Sequence, residues 1–543
     1  MVTQPDTLHS STDDDTRQRR LPGASSARIL VAEPFGDAGL QLLKEHAEVL
    51  RPSSPEELRS MLADCDGLVV RSGTQVTREL LEYGPNLRIV ARAGVGVDNI
   101  DVEACTARGV AVINAAGGNA VAVAEHALGL MIALARHFVP ANASLRDGKW
   151  DRSRFTGIEL AGRTLGTVGL GPVGSELVTR ARALGMTVLA VDPYIPAERA
   201  ERLGVQIVGL DELLRESDFI SLHVPATAET RNMMNRETLA KMKSTAYLIN
   251  CARGEVVDTD ALLEALDAGV IAGAGIDVFT EEPAPSHPLA MHPKVLATPH
   301  LAGSTTEALE SVAVRIAEQM LAMLAGGPPI GALNGPRWPE DPSLHPWLEA
   351  ADKAGGLAIQ LAEGQIKSVE IGINGPPAEV TTSAFSAAAL AGLLSRVSDE
   401  PISWINAQEI AEQRGLKPVE RRSHTDEPGV RVSVRTELGE ADVEIEAKDG
   451  ELRIRRILGF PVDLPLNGGH LLLTSHRDVP GVVGAIGTLL GTSNVNISAL
   501  QVGRFHPGGD ALMVMVVDDP ITPEVLSAAR EISGMEGAWS LSV

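Results

Sequence analysis

Aromatic side chains are scarce in this 543-residue chain, at only 3%. Its cores must therefore be built from Ala, Val, Leu and Ile, within a hydrophobic share of 44% that is ordinary for a folded protein. Cysteine is scarcer still. Cys65, Cys105 and Cys251 show no paired spacing, which excludes a disulfide framework and suits a reducing compartment. Positive charge is in deficit, because 47 Lys and Arg against 71 Asp and Glu leave a formal charge of −24. That excludes a nucleic-acid partner, which needs a basic face, but not a small anion, which needs only a few local cations. No apolar run reaches the ~18 residues that span a bilayer, and the N-terminus is polar rather than signal-like. We expect a soluble cytoplasmic protein with no membrane partner and no metal.

The length excludes a single hydrophobic core and sets an expectation of three or four domains. Residues 1–27 are rich in Ser, Thr, Asp and Arg without apolar periodicity, as in a disordered tail. Apolar runs at 29–32, 67–70 and 87–91 alternate with helical stretches, which implies a parallel sheet in an α/β domain. A helical run from Glu125 is apolar at nearly every position and leads into a second α/β unit that begins at Thr164. The helix at about 306–324 is expected to return to the first domain. Residues 28–124 with 306–333 would then form one lobe and 125–305 the other, with the site in the cleft between two doubly wound sheets.

Past Ala325 the segment GGPPIGALNGPRWPEDP reads as a linker. Residues 334–467, with the alternating runs VRVSVRTEL and ADVEIEAKD, read as an intervening α+β domain. Residues 468–543 run strand, helix, strand, strand, helix, strand, the ferredoxin-like split βαβ plan.

The densest chemistry begins at Gly169-Leu-Gly171-Pro172-Val173-Gly174, which follows a short strand and opens a helix. Glycines there permit a tight turn and close approach of backbone to a pyrophosphate, and the helix N-terminus offers N–H groups and a positive dipole end. Asp192 ends the next strand, 18 residues after Gly174, where a carboxylate accepts from a ribose diol and repels a 2′-phosphate. The cofactor is therefore expected to be NAD. Pro172 removes one N–H from the loop but suits the first helical position.

Three polar residues then follow apolar strands: Arg253 after AYLI, Asp277 after GAGI, and His300 after VLATP. With Glu282 in DVFTEEP, they supply a two-pronged carboxylate holder and a proton acceptor whose partner orients it. Oxidation of a 2-hydroxy acid needs that combination.

In order along the chain, GLGPVG, Asp192, HVPAT, NCARGEVVD, AGIDVFTEEP and PHLAGS resemble the D-isomer-specific 2-hydroxyacid dehydrogenase family over residues ~28–333. The resemblance implies that Arg253 binds the substrate carboxylate and that His300, paired with Glu282, is the acid/base. It implies that Asp277 lies near the nicotinamide carboxamide. It also implies that Val224, Cys251, Ala252 and the turn from His300 to Gly303 line the cofactor. The family acts on lactate, glycerate, formate and phosphoglycerate. This chain is most similar to the branch that oxidises 3-phosphoglycerate at the head of serine synthesis. VVRSGTQVT would supply Arg71 to a phosphate, ARAGVGVDNID would supply Arg92, and GGNAVAVAEH would supply Asn119. Arg136 resembles a residue contributed across a dimer interface. Gln75 and Ala122 stand where relatives often carry lysine and serine.

The last segment resembles an ACT domain, an amino-acid-sensing module, in which Asp478 and Asn496 would hold an effector, here L-serine. ACT domains pair edge to edge, so the resemblance implies a homo-oligomer, taken as a tetramer.

Overall fold

The computed structural model describes residues 27–380, 382–423, 427–467 and 469–543. The tail expected over residues 1–27 lies outside them, save Ala27.

Four sheets organise the chain. The first holds β1 (Arg28–Val31), β2 (Glu48–Leu50), β3 (Gly67–Val70), β4 (Ile89–Arg92) and β5 (Ala111–Asn114), in the order β2-β1-β3-β4-β5. Every pairing is parallel. Strands β3 and β5 are buried at every residue, as expected for a parallel sheet covered on both faces. The helix Thr306–Leu324 returns to this lobe and buries Ile316, Ala317 and Met320 in the same core as Ile29 and Ile89. The residues expected as a free linker instead dock on the edge of β5. Leu333 N–H donates to Val112 C=O at 2.8 Å, and Asn334 Oδ1 accepts from Val112 N–H at 2.8 Å.

The second sheet holds β6 (Thr164–Val168), β7 (Thr187–Val191), β8 (Gln206–Ile207), β9 (Phe219–Leu222), β10 (Tyr247–Asn250), β11 (Gly273–Ile276) and β12 (Val295–Ala297). All seven are parallel, ordered β12-β11-β10-β9-β6-β7-β8. Chain order reverses at β6, which makes its C-terminal end the switch point where open α/β sheets receive ligands. The helix Ala120–Ala135 packs Val123, Ala127 and Met131 against Leu177 and Phe219 of this lobe. The lobe therefore starts near 120 rather than 125.

The third sheet holds β13 (Ile366–Asn374), β14 (Val419–Ser423), β15 (Gly429–Thr436), β16 (Glu440–Lys448), β17 (Glu451–Ile457) and β18 (Phe460–Pro465). It is antiparallel except between β13 and β14. The helices His345–Leu361 and Ser383–Leu394 pack closely beside it, and every residue from 384 to 394 is buried. The fourth sheet holds β19 (His470–Arg477), β20 (Ile497–Arg504), β21 (Asp510–Val517) and β22 (Met535–Ser542), antiparallel in the order β20-β21-β19-β22.

One apolar cluster runs from Ile29 through Trp347 and Val432 to Leu541, joining the first, third and fourth sheets. The seven-stranded lobe keeps separate cores.

Candidate active site

Parallel strands deliver their C-terminal ends to one edge of a sheet, and here that edge carries the polar residues. Gly169 follows β6, Asp192 follows β7, His223 and Val224 follow β9, Cys251 to Arg253 follow β10, and Asp277 follows β11. In the first lobe Arg71 follows β3, and Arg92 ends β4.

The dinucleotide loop fits a pyrophosphate. Gly169 has φ +97°, and a Cβ there would lie 2.6 Å from His223 C=O; a side chain on Gly174 would collide with Gly169 C=O. Gly171 faces open space, where a phosphate can approach. Pro172 starts the helix Pro172–Ala183. Asp192 accepts from Leu170 N–H at 2.8 Å and Tyr194 N–H at 2.9 Å, one on each oxygen, which pins the loop and leaves lone pairs for a diol.

The trio assembles through short contacts. Asn250, 1% exposed, accepts from Ala252 N–H at 3.1 Å and donates to Arg253 C=O at 2.8 Å. That bracket fixes the turn Cys251–Ala252–Arg253, with Cys251 buried beneath it, and Arg253 Nη1 donates to Ala252 C=O at 2.7 Å. Gly254 abuts the backbone of Phe279 and Thr280. Phe279 N–H donates to Glu282 Oε1 at 3.0 Å, while Glu282 Oε2 meets His300 Nδ1 at 2.7 Å. An ionised carboxylate only accepts, so Nδ1 carries the hydrogen and Nε2 keeps its lone pair. The His300 side chain is half exposed, so Nε2 is free to take a proton from a bound hydroxyl.

Asp277, expected beside a nicotinamide, also has a structural task. It is fully buried, and its carboxylate accepts from Thr298 Oγ1 at 2.5 Å, Leu301 N–H at 2.8 Å and Ala302 N–H at 2.9 Å. These bonds hold the turn in which His300 has φ 53°. His126 supports the same turn through Thr298 Oγ1 at 3.0 Å. Asn250 ends β10, but its role, like that of His126, was not legible, because both act on backbone or on a neighbouring side chain.

Across the cleft, the Arg253 guanidinium lies over Gly96, and its Nε is 3.8 Å from Asp98 Oδ2. Burial pushes the Arg92 pKa down; Arg253 and Arg71 push the same way, while Asp98 and Glu33 oppose it. Three guanidiniums thus share one neighbourhood. Arg71 lines a cavity of about 250 Å³ with Phe35, Ala93 and Glu310. Asn119 precedes the helix Ala120–Ala135 and touches Gly303, where the chain crosses between lobes.

Two sets of predicted residues stand apart within one chain. Arg136 lies exposed at the far end of the helix that Asn119 starts, about 24 Å away by helix rise. Asp478 and Asn496 sit at opposite ends of the fourth sheet, roughly 23 Å apart by strand rise. Asp478 is engaged by Arg504 and by Gly508 N–H at 3.1 Å, and Asn496 Nδ2 donates to Asp518 at 2.7 Å.

A carboxylate holder and an oriented proton acceptor at the mouth of a dinucleotide cleft define the class as 2-hydroxyacid dehydrogenase. Residues 128–302 match the D-isomer specific 2-hydroxyacid dehydrogenase, NAD binding domain, so the cofactor is NAD. Residues 343–457 match the D-3-phosphoglycerate dehydrogenase intervening domain, and 470–534 match the ACT domain. The chain belongs to the D-3-phosphoglycerate dehydrogenase family. It is 42% identical over 526 residues to D-3-phosphoglycerate dehydrogenase of Synechocystis, covering 95% of each chain. It is 40% identical over 515 residues to the Bacillus subtilis enzyme of that name, covering 93% of this chain and 97% of the relative. A crystal structure from Thermus thermophilus aligns with TM-score 0.52 at 36% identity, covering 56% of this chain and 99% of that one.

Proposed function

We propose that this protein oxidises 3-phospho-D-glycerate to 3-phosphooxypyruvate with NAD, the first step of L-serine synthesis. The observation that carries the reading is the gathering of Arg71, Arg92 and Arg253 in one neighbourhood, with Arg253 joined through Gly254 and Phe279 to the His300–Glu282 pair. One bidentate guanidinium suffices for a carboxylate, and a phosphate dianion calls for the other two. Arg253 holds the substrate carboxylate, Arg71 and Arg92 hold the phosphate, and Asn119 steadies the hinge. His300 Nε2 takes the C2 hydroxyl proton while Glu282 stabilises the imidazolium. Gly169–Gly174 and Asp192 would hold NAD, with Val224 and Cys251 flanking it, and the bound cofactor would supply the acceptor for the C2 hydride.

Both features left open in a single chain call for further copies. Arg136 of one subunit would complete the phosphate site of another. Two-fold pairing of the fourth sheet with its own copy in antiparallel sense would bring the Asp478 end of one sheet to the Asn496 end of the next, forming a composite L-serine site. Two distinct two-fold interfaces on one chain build a homotetramer.

The test is NAD reduction with 3-phosphoglycerate against D-glycerate, D-lactate and formate. The expected kcat/KM preference for the phosphorylated acid is more than about tenfold, roughly 1.4 kcal/mol or more; a smaller one refutes the assignment.

A further inference from the structure

Glu33 and Asn99 form a clamp that the chemistry above does not use. Glu33 lies just past β1, and its carboxylate accepts from three backbone N–H groups of the loop after β3. These are Arg71 at 2.9 Å, Gly73 at 3.0 Å and Thr74 at 2.9 Å. From the other side the Asn99 amide donates to Arg71 C=O at 2.7 Å and Thr74 C=O at 2.6 Å. The same amide accepts from Arg92 Nε at 3.0 Å through its oxygen. Asn99 is 8% exposed, and its own C=O accepts from Val76 N–H at 2.8 Å, where the loop rejoins the fold. Burial tends to raise the Glu33 pKa, but the loop N–H groups outweigh it and hold the carboxyl below its ordinary value, so the clamp is charged at neutral pH.

Only an amide can do what Asn99 does, since it donates twice and accepts once at one position. Leucine would do neither, and aspartate would turn an acceptor toward two carbonyls. The three loop N–H groups likewise need an acceptor with two oxygens and no proton, which glutamate supplies. The outcome is that the backbone under Arg71 and the side chain of Arg92 hang from one buried side chain.

We infer that Asn99 and Glu33 are positioning residues that set Arg71 and Arg92 at a fixed separation, so that the pair reads a phosphate rather than a second carboxylate. This rests on the reading of Arg71 and Arg92 as the phosphate site. Neither residue touches substrate; both act through the arginines, and the specificity they confer is for the phosphorylated end of the acid.

The experiment compares the wild type with Asn99→Ala, Asn99→Asp and Glu33→Gln, each assayed on 3-phosphoglycerate and on D-glycerate at saturating NAD. The expected result is a KM for 3-phosphoglycerate raised about tenfold or more, the effect of roughly 1.4 kcal/mol. The kcat on 3-phosphoglycerate, the KM for NAD and the KM for D-glycerate should stay within about twofold, under roughly 0.5 kcal/mol. The isosteric Asn99→Asp should be no better than Asn99→Ala, and Asn99→Ala added to Arg71→Ala should cost less than it does alone. Equal losses on both substrates, a raised KM for NAD, or an unchanged KM for 3-phosphoglycerate would each overturn the inference. Glu33→Gln preserves shape and carries the test if the Asn99 variants do not fold. A wild type with no preference for the phosphorylated acid refutes the functional reading instead, and that result is read before any variant is made.

Discussion

In the cleft, Arg253 and His300 leave different strands of one parallel sheet and, through Glu282 and the Gly254 contact, reach a common site within a single chain. In the fourth sheet, Asp478 follows β19 and Asn496 precedes β20, and the two end up at opposite ends of the sheet. The cause is directional. A parallel sheet sends every strand's C-terminal end to one edge, so polar residues that follow apolar strands collect there. In the fourth sheet β19 and β20 both run antiparallel to β21 and therefore run the same way, so a residue that follows one and a residue that precedes the other lie at opposite ends. One architecture gathers its candidate residues in one chain; the other leaves two candidate half-sites apart.

The strongest test of the first half of this contrast is His300→Ala. Loss of the oriented base should lower kcat by about 10²–10⁴-fold while the NAD dissociation constant, read by fluorescence, stays unchanged. A weakened NAD affinity would mean that the αL turn at His300, not its imidazole, had been supporting the site. For the second half, Asp478→Ala and Asn496→Ala should each raise the serine concentration for half-inhibition by about tenfold or more, a change of roughly 1.4 kcal/mol. Co-expressing the two variants should restore part of the response, because some interfaces then carry one intact composite site. No restoration in the mixed oligomer would break the comparison.

A smaller effect follows from partial burial at the strand-end edge of the parallel sheet. His223, just past β9, has its pKa pushed down by burial to about 4, and its ring meets Ser221 Oγ at 2.9 Å. The native ring is therefore neutral where the unfolded one, with a pKa near 6.5, takes up a proton. The unfolded state binds more protons between those values, so stability is full above about 6.5 and falls as pH drops toward 4. The ring is partly exposed, so the loss is on the order of 1–2 kcal/mol rather than the full shift converted. Thermal melts from pH 7 to 4 should show a shallower decline for His223→Gln; parallel curves would mean that the ring is solvated.

Directionality also explains what could be read from the chain alone. Arg253, Asp277, His300, Arg71 and Arg92 each stand at the end of an apolar run, so pattern and chemistry coincide in the sequence. Asn99 and Glu33 act on the backbone of residues 71–74, and nothing in their local sequence marks a partner 25 or more positions away. Asp277 was visible as a site residue, but its bonds to the His300 turn were not, because those partners lie 21 to 25 positions further on. The helix at 120–135 could not be started correctly because Asn119 makes no side-chain cap and Ala120–Ala124 carry no boundary signal. Residues 332–334 read as a linker by their glycines and prolines, yet the open edge of β5 gives them strand partners.

The smallest expected effect lies where the two architectures join. The helix His345–Leu361 starts among residues that pack with the first lobe and ends at Gln360. Gln360 imitates a strand neighbour of β22: its Nε2 donates to Ser542 C=O at 2.8 Å, and its Oε1 accepts from Ser542 N–H at 2.9 Å. These two bonds tie the free edge of the fourth sheet to a rod whose other end shares a core with β1 and β4. If serine closes the composite site by pairing two sheets, the displacement reaches the cleft through this tie. Gln360→Ala should leave uninhibited kcat and KM unchanged, since the side chain is far from the arginines. The maximal inhibition by serine should fall severalfold, in keeping with the loss of about 1 kcal/mol from two neutral hydrogen bonds. Serine binding itself, followed by calorimetry, should persist, because Asp478 and Asn496 are untouched. Loss of binding together with inhibition would place Gln360 in the stability of the sheet, and the catalytic and regulatory architectures would then be coupled by some other contact.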